Sequence, residues 1–355
     1  MVYSECSLHQ LAPYIGKLKS VIAHDLLDRY SRPGDLVGDP FSGSGTIPLE
    51  ATLLSRRVFA SDISAYAATL TRAKLASPLS LGSALAIAQQ TLDDANRMRP
   101  CDLRRVPLWV RRFFHPCTLK STMAFSEMCR SRGQHFLSAC LLGILHHQRP
   151  GFLSFPSSHL VPYLRDRKFP RETFPELYGY RDLAPRLFAK IQRALARYAG
   201  PSCAPAQFVH APLERVPFPN SFDSLITSPP YMNALDYERD NRLRLWFLGS
   251  DGERSESAAS CKKHEEFERL MSCLADLVEA RLAAQGHCVL VVGDAVRRGN
   301  SAVAHPAQII RQIMRARAPS LALRQEITDS ILDVRRGTPR LAVCDPNLNA
   351  VCCGG

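Results

Sequence analysis

The stretch VGDPFSGSGT, residues 37–46, places an apolar run directly before two glycines, and the glycines directly before a helical pattern. GDLVGDP (34–40) and RRVFASD (56–62) read as buried strands, each bounded by Gly, Pro or Asp. Between them TIPLEATLLS (46–55) has helical spacing, with Thr46 as the expected N-cap. Strand, helix and strand in that order imply a parallel, doubly wound α/β sheet.

The glycines also constrain what the turn can hold. Without a Cβ at Gly43 and Gly45, the backbone turns tightly and a ligand can approach it closely. Asp62 closes the second strand seventeen residues after Gly45, close to where an acid bonds a ribose hydroxyl. A dinucleotide fingerprint wants a third glycine at position 48, where this chain has Pro48, and the GK[ST] ending of a phosphate loop is absent. A nucleoside cofactor without a pyrophosphate fits better, and S-adenosylmethionine is the candidate. The plain alternative is a tight strand-to-helix turn with a capping aspartate.

The alternation resumes after about residue 206. AQFVHA and FDSLIT read as strands, and HCVLVVGD (287–294) is the continuous apolar run of a central parallel strand. FERLMSCLADLVEARL (267–282) is amphipathic, with Leu270, Met271, Leu274, Leu277 and Val278 on one stripe. The segment between is different. Residues 101–200 carry 17 lysines and arginines against 6 aspartates and glutamates, which is almost the whole of the net charge of +12. Prolines and aromatics punctuate it, and FLSACLLGILHH (136–147) reads as a buried helix. The expected organisation is a sheet-forming half over 1–100, a basic, mainly helical insertion over 101–205, a second half over 206–345 and a loose tail over 346–355. A basic face of this kind fits a polyanion partner. Arg104, Arg105, Arg111, Arg112, Arg165, Arg167 and Lys168 are candidate phosphate contacts.

Twelve cysteines in irregular spacing, with no CxxC pair, read as reduced thiols rather than a disulfide framework. Cys117, Cys129 and Cys140 with His115, His135 and His146 lack the paired spacing of a zinc site, so no metal is expected. With no apolar run of spanning length and no secretory pattern at the N-terminus, the expected location is the cytoplasm.

LITSPPY, residues 225–231, ends an apolar strand on two prolines and a tyrosine. Together with DPFSGSGT (39–46), TSPPY (227–231) resembles the S-adenosylmethionine-dependent methyltransferases of nucleobase amino groups. The serine before the prolines is similar to the DNA cytosine-N4 enzymes. The resemblance covers the sheet-forming parts and implies a Rossmann-like class I methyltransferase sheet. It also implies base flipping, DNA as partner and, as a further expectation, a cognate restriction endonuclease. Asp39, Phe41, Gly43, Gly45, Thr46, Asp62 and Ile63 would line the cofactor. Tyr14 and Lys17, in YIGKLKS (14–20), resemble the family's opening motif, and Asp294 sits in a strand-end segment similar to one of theirs. Where many members carry an acid after the third strand, this chain has His210 and Ala211.

The chemistry of the corner agrees with the resemblance. Prolines have no N–H, so the carbonyls around Pro229 and Pro230 are presented as acceptors in a rigid frame. Ser228 Oγ and the Pro229 carbonyl could each take one hydrogen bond from an exocyclic amino group, aiming the nitrogen lone pair at a methyl donor. Tyr231 can stack on a base swung out of its helix. The rival readings are an RNA or adenine-N6 amino-methyltransferase and a nucleic-acid-binding homologue without catalysis. A cytosine-C5 enzyme using Cys117 has no supporting acidic motif and leaves TSPPY without a purpose.

Overall fold

The computed structural model describes residues 3–99, 101–146, 151–155, 167, 169–200, 202–230, 237–250, 260–293, 306–327, 339–345 and 348–352. Two compact units divide the chain. The sheet unit comprises Gly16–Thr71, Ser202–Asp236 and Glu253–Gly355, and the helical unit Met1–Ile15, Arg72–Pro201 and Tyr237–Gly252.

The strands of the sheet unit are β1 (Leu36–Asp39), β2 (Arg57–Asp62), β3 (Ala206–His210), β4 (Phe222–Thr227), β5 (Leu282–Gly293), β6 (Gln325–Ile327), β7 (Pro339–Asp345) and β8 (Leu348–Cys352). They form one sheet in the order β3-β2-β1-β4-β5-β7-β6, with β8 paired to β7. The first five pair in parallel, and β7 runs antiparallel to β5 and β6. This is the doubly wound α/β sheet with parallel central strands expected from the sequence.

Side-chain alternation explains why both faces are covered. Cys288, Leu290 and Val292 of β5 enter one core, and Val289 and Val291 the other. Phe59, Phe222 and Leu225 join the first, while Val58, Ala60 and Ile226 join the second. Strands apolar on both faces need a layer on each. Helices α1 (Ser20–Tyr30) and α2 (Thr46–Leu53) cover the second core with Ala23, Leu26, Leu27, Ile47 and Ala51. The helices Ser260–Arg281 and Pro306–Arg317 cover the first with Phe267, Met271, Leu274, Val278, Ile309 and Met314. Gly38 in β1 has a packing reason: a Cβ there would lie 2.8 Å from the Phe222 ring.

One expectation changes. Thr46 is not the N-cap of α2. Gly45 holds that position at φ +71, a left-handed backbone that favours glycine, and Thr46 begins the helix. The residues Leu348–Cys352 pair antiparallel with β7.

In the helical unit, the helix His135–Ile144 is buried at every residue from Phe136 to Ile144. The helix Leu183–Leu195 buries Leu183, Leu187, Ile191 and Ala194. Phe113, Phe114, Leu119, Phe125 and Cys129 add to the same unit's apolar interior. Among the described residues, no helix is long and apolar enough to cross a membrane.

Candidate active site

The centre of the sheet brings the two sequence motifs together. β1 and β4 are parallel neighbours, with Gly38 opposite Leu225. Just beyond this pair, Thr227 Oγ1 donates to Asp39 Oδ1 at 2.6 Å and accepts from the Phe41 backbone N–H at 3.3 Å. Both bonded side chains are buried. Burial pushes the Asp39 carboxyl up to about 7; the Thr227 bond opposes the rise and the nearby Asp62 charge adds to it.

The glycine loop is wired from several sides. The Gly45 N–H donates to the Ser42 carbonyl at 2.7 Å, and the Ser42 N–H to the Ser61 carbonyl at 3.0 Å. Gly43 also has a positive φ, +50, and its N–H donates to Asp62 Oδ2 at 2.8 Å. The other Asp62 oxygen accepts from the Ser64 N–H, also at 2.8 Å. Asp62 therefore ties the loop to the end of β2, and with a third backbone bond from Ile63 it keeps about one acceptor site. Burial raises its pKa, against the pull of these backbone bonds and the charge of His210. A Cβ on Gly45 would meet Thr71 Oγ1 at 2.8 Å and the Thr71 Cα at 2.9 Å, so the missing side chain lets the helix Ala65–Leu75 pass close to the loop at Thr71.

Beside Asp62, Ile63 is 70% exposed, an apolar surface at the mouth of the loop. His210 Nε2–H donates to the Ile63 carbonyl at 2.9 Å, since a carbonyl can only accept. The position where an acid was looked for instead holds a histidine that fixes the backbone next to Ile63.

At the corner, Ser228 Oγ donates to the Val291 carbonyl of β5 at 3.1 Å. Its only hydrogen is committed there, and its lone pairs remain as acceptors. Pro229 is buried and Pro230 half-buried. Tyr231 and Asp294 lie outside the described residues.

Asp39, Phe41, Gly43, Gly45, Thr46, Asp62, Ile63, Ser228, Pro229 and Pro230 all belong to the sheet unit. Phe41 packs on the core cluster around Phe222, and Thr46 Oγ1 shares a hydrogen bond with Ser44 Oγ at 3.0 Å. Lys17 is half-buried in the same unit, whereas Tyr14 belongs to the helical unit. Of the basic candidates, Arg104, Arg105, Arg111, Arg112 and Arg167 are exposed, and Arg165 and Lys168 lie outside the described residues. Thr227, Thr71 and Val291 were not singled out by sequence. Only Thr227 carried a signal, a hydroxyl at the strand end directly before the serine.

Among the described residues, no group of three or more His, Cys, Asp or Glu could hold a metal ion. Cys129 and Cys140 are buried, and burial pushes the Cys140 thiol up to about 12.

Comparison with known proteins covers the glycine-loop half of this region. Residues 20–73 match a family model described as DNA methylase, of the N6 and N4 class. The match spans α1, the glycine loop, α2 and β2, and ends before the proline corner. It supports a methyltransferase family. No curated protein sequence matches the chain. Among solved structures, the rRNA methyltransferase aviRa from Streptomyces viridochromogenes aligns with a TM-score of 0.32 at 13% identity, covering 88% of this chain and 96% of its own. An rRNA methylase from Streptococcus thermophilus gives 0.33 at 9% identity, covering 93% and 98%.

Proposed function

We propose that this chain is an S-adenosylmethionine-dependent methyltransferase acting on the exocyclic amino group of a nucleobase, with N4 of cytosine in DNA as the substrate. The observation that carries the reading is the Thr227 hydroxyl, which joins the glycine-loop motif to the serine-proline corner in one site.

The residues fit the cofactor. Asp39 is a buried acid for which a cationic ligand would offset the cost of ionisation. Gly43 and Gly45 leave room for close approach, Asp62 keeps an acceptor site for a ribose hydroxyl, and Ile63 offers an apolar surface to an adenine ring. When bound, S-adenosylmethionine supplies an electrophilic methyl group.

The protein's part is to present the amino nitrogen. Ser228 Oγ, with its hydrogen held by Val291, accepts one amino hydrogen, and the Pro229 carbonyl accepts the other. The nitrogen lone pair is then aimed out of the base plane, and alignment replaces a covalent intermediate. Tyr231 would stack on the flipped base. The serine at this corner favours cytosine N4 in DNA over an RNA or adenine-N6 substrate, by its likeness to the cytosine-N4 enzymes.

Tritiated S-adenosylmethionine with plasmid DNA and with total RNA, followed by nucleoside mass spectrometry, tests this. The expected product is N4-methylcytosine in DNA, falling by about 10²–10³-fold in Ser228→Ala. Label in RNA alone would move the substrate and keep the chemistry. No label in either, with cofactor bound, would overturn the enzyme reading.

A further inference from the structure

The helical unit contains a cavity of about 550 Å³ lined by Gly143, Phe152, Arg186, Ala189, Lys190 and Arg193, among others. Its cations are built in by one helix. Along Leu183–Leu195, the residues Leu183, Leu187, Ile191 and Ala194 turn into the apolar interior. Arg186, Lys190 and Arg193 recur at i, i+4 and i+7 on the adjoining flank, so all three line the same space. Among the described residues, no aspartate or glutamate lines it.

Two of the three cations are held there at a cost. Lys190 is only 8% exposed, and its ammonium donates to the Gln10 carbonyl at 2.6 Å, which leaves two of its three hydrogens. Burial pushes this ammonium down to about 8, and the charge of Arg193 pushes the same way. Arg186 donates through Nη1 to the Asp182 carbonyl at 2.9 Å, while its shielded Nε–H has no partner among the described residues. Burial also lowers the pKa of Arg181, as does the charge of Arg186. Cations that repel one another around a cavity without a carboxylate are matched by an anion.

The opposite wall makes room for Lys190. A Cβ at Gly143 would collide with the Leu11 carbonyl oxygen and stand 2.9 Å from Lys190 Cε. Glycine at this position lets the lysine stem pass to the cavity. None of the three is among the seven phosphate contacts expected from the sequence, and the cluster lies apart in sequence from both motifs of the candidate active site.

We propose that this cavity binds a phosphate group, and that its occupant is a backbone phosphate of the nucleic-acid substrate, the second statement resting on the function proposed above. The Arg186 guanidinium and the two remaining Lys190 hydrogens are the donors, and exposed Arg193 forms the solvent-facing rim.

The full-length chain and an R186Q/R193Q variant are compared for binding to labelled duplex DNA, single-stranded DNA and RNA between 50 and 200 mM salt. Inorganic phosphate and pyrophosphate are tested separately by thermal shift. The expected result is at least tenfold weaker nucleic-acid binding in the variant, a salt slope shallower by about 2, and unchanged S-adenosylmethionine affinity. Equal affinity and slope in the two proteins would overturn the proposal. If the wild type binds no nucleic acid, that reading of function fails, yet stabilisation by pyrophosphate that the variant lacks would still establish the phosphate site. No stabilisation in that case overturns the site as well. If the double variant does not fold, the charge reversal R193E at the exposed rim decides by the same comparisons.

Discussion

Thr227 and Asp39 lie 188 positions apart in sequence and are joined by a 2.6 Å hydrogen bond in the interior of the sheet unit. The hydroxyl also receives the Phe41 N–H, so one side chain satisfies a buried acid and a loop amide. Replacing it with an apolar side chain of the same shape isolates that contribution.

Thr227→Val is expected to lose about 1–3 kcal/mol of stability, because the buried Asp39 carboxyl loses the hydroxyl and keeps only its bond from the Phe41 N–H. Urea unfolding of the cofactor-free protein measures this. Cofactor affinity should fall as well, since the Phe41 N–H loses one of its two acceptors. A variant as stable as the wild type would show that the bond contributes nothing net.

Asp39 predicts a pH dependence. Its carboxyl titrates near 7 in the folded protein, against 3.8 ordinarily. Below pH 4 it is protonated in both folded and unfolded states and has no effect. Between pH 4 and 7 the unfolded chain ionises first, so stability falls as pH rises, by at most about 4 kcal/mol once pH exceeds 7. Asp39→Asn cannot ionise and keeps an acceptor for Thr227. Its melting temperature should match the wild type near pH 4 and exceed it increasingly towards pH 8. A constant difference across that range would refute the assignment.

Asp62→Asn tests the staple on the glycine loop. The carboxylate accepts the N–H groups of Gly43 and Ser64, one on each oxygen. Asparagine offers one acceptor and sets an NH₂ against the other amide. S-adenosylmethionine affinity is expected to fall by about tenfold or more while the fold remains intact, at about 1.4 kcal/mol per tenfold. Calorimetric titration with circular dichroism alongside separates the two effects.

Gly38→Ala should destabilise the sheet unit by about 1–3 kcal/mol, because the added methyl meets the Phe222 ring at 2.8 Å. Phe222→Leu in the same chain should recover part of the loss, and the double-mutant cycle reads that coupling.

The sequence made the glycine loop and the central strands legible because their signals are local. The run LVGD needs burial on both faces, and Gly43 and Gly45 announce their backbone wherever they occur. What stayed hidden is pairwise. Nothing near Gly38 says that Phe222 fills the space of its missing side chain, and nothing near Ser228 says that the Val291 carbonyl takes its hydrogen. Thr46 fitted the composition of an N-cap, but the left-handed turn at Gly45 carries that position instead. The helical unit draws on Met1–Ile15 and Tyr237–Gly252 as well as the basic stretch. Charge counting could mark only the last of these, and the lysine and arginines of the Leu183–Leu195 flank became visible once the helix grouped them.

The separation of Asp39 from Thr227 also sets an order of events during synthesis. At cellular elongation rates of about 5–20 residues per second, those 188 positions take roughly 10–40 s to emerge. Throughout that interval the glycine loop lacks its partner strand, and Asp39 stands in water as an ionised carboxylate. When β4 docks beside β1, burial raises the acid towards 7 and the chain takes up about half a proton per molecule at neutral pH. Completion of the sheet centre is thus a protonation step, and refolding near pH 7 in a weakly buffered indicator solution should register it as alkalinisation.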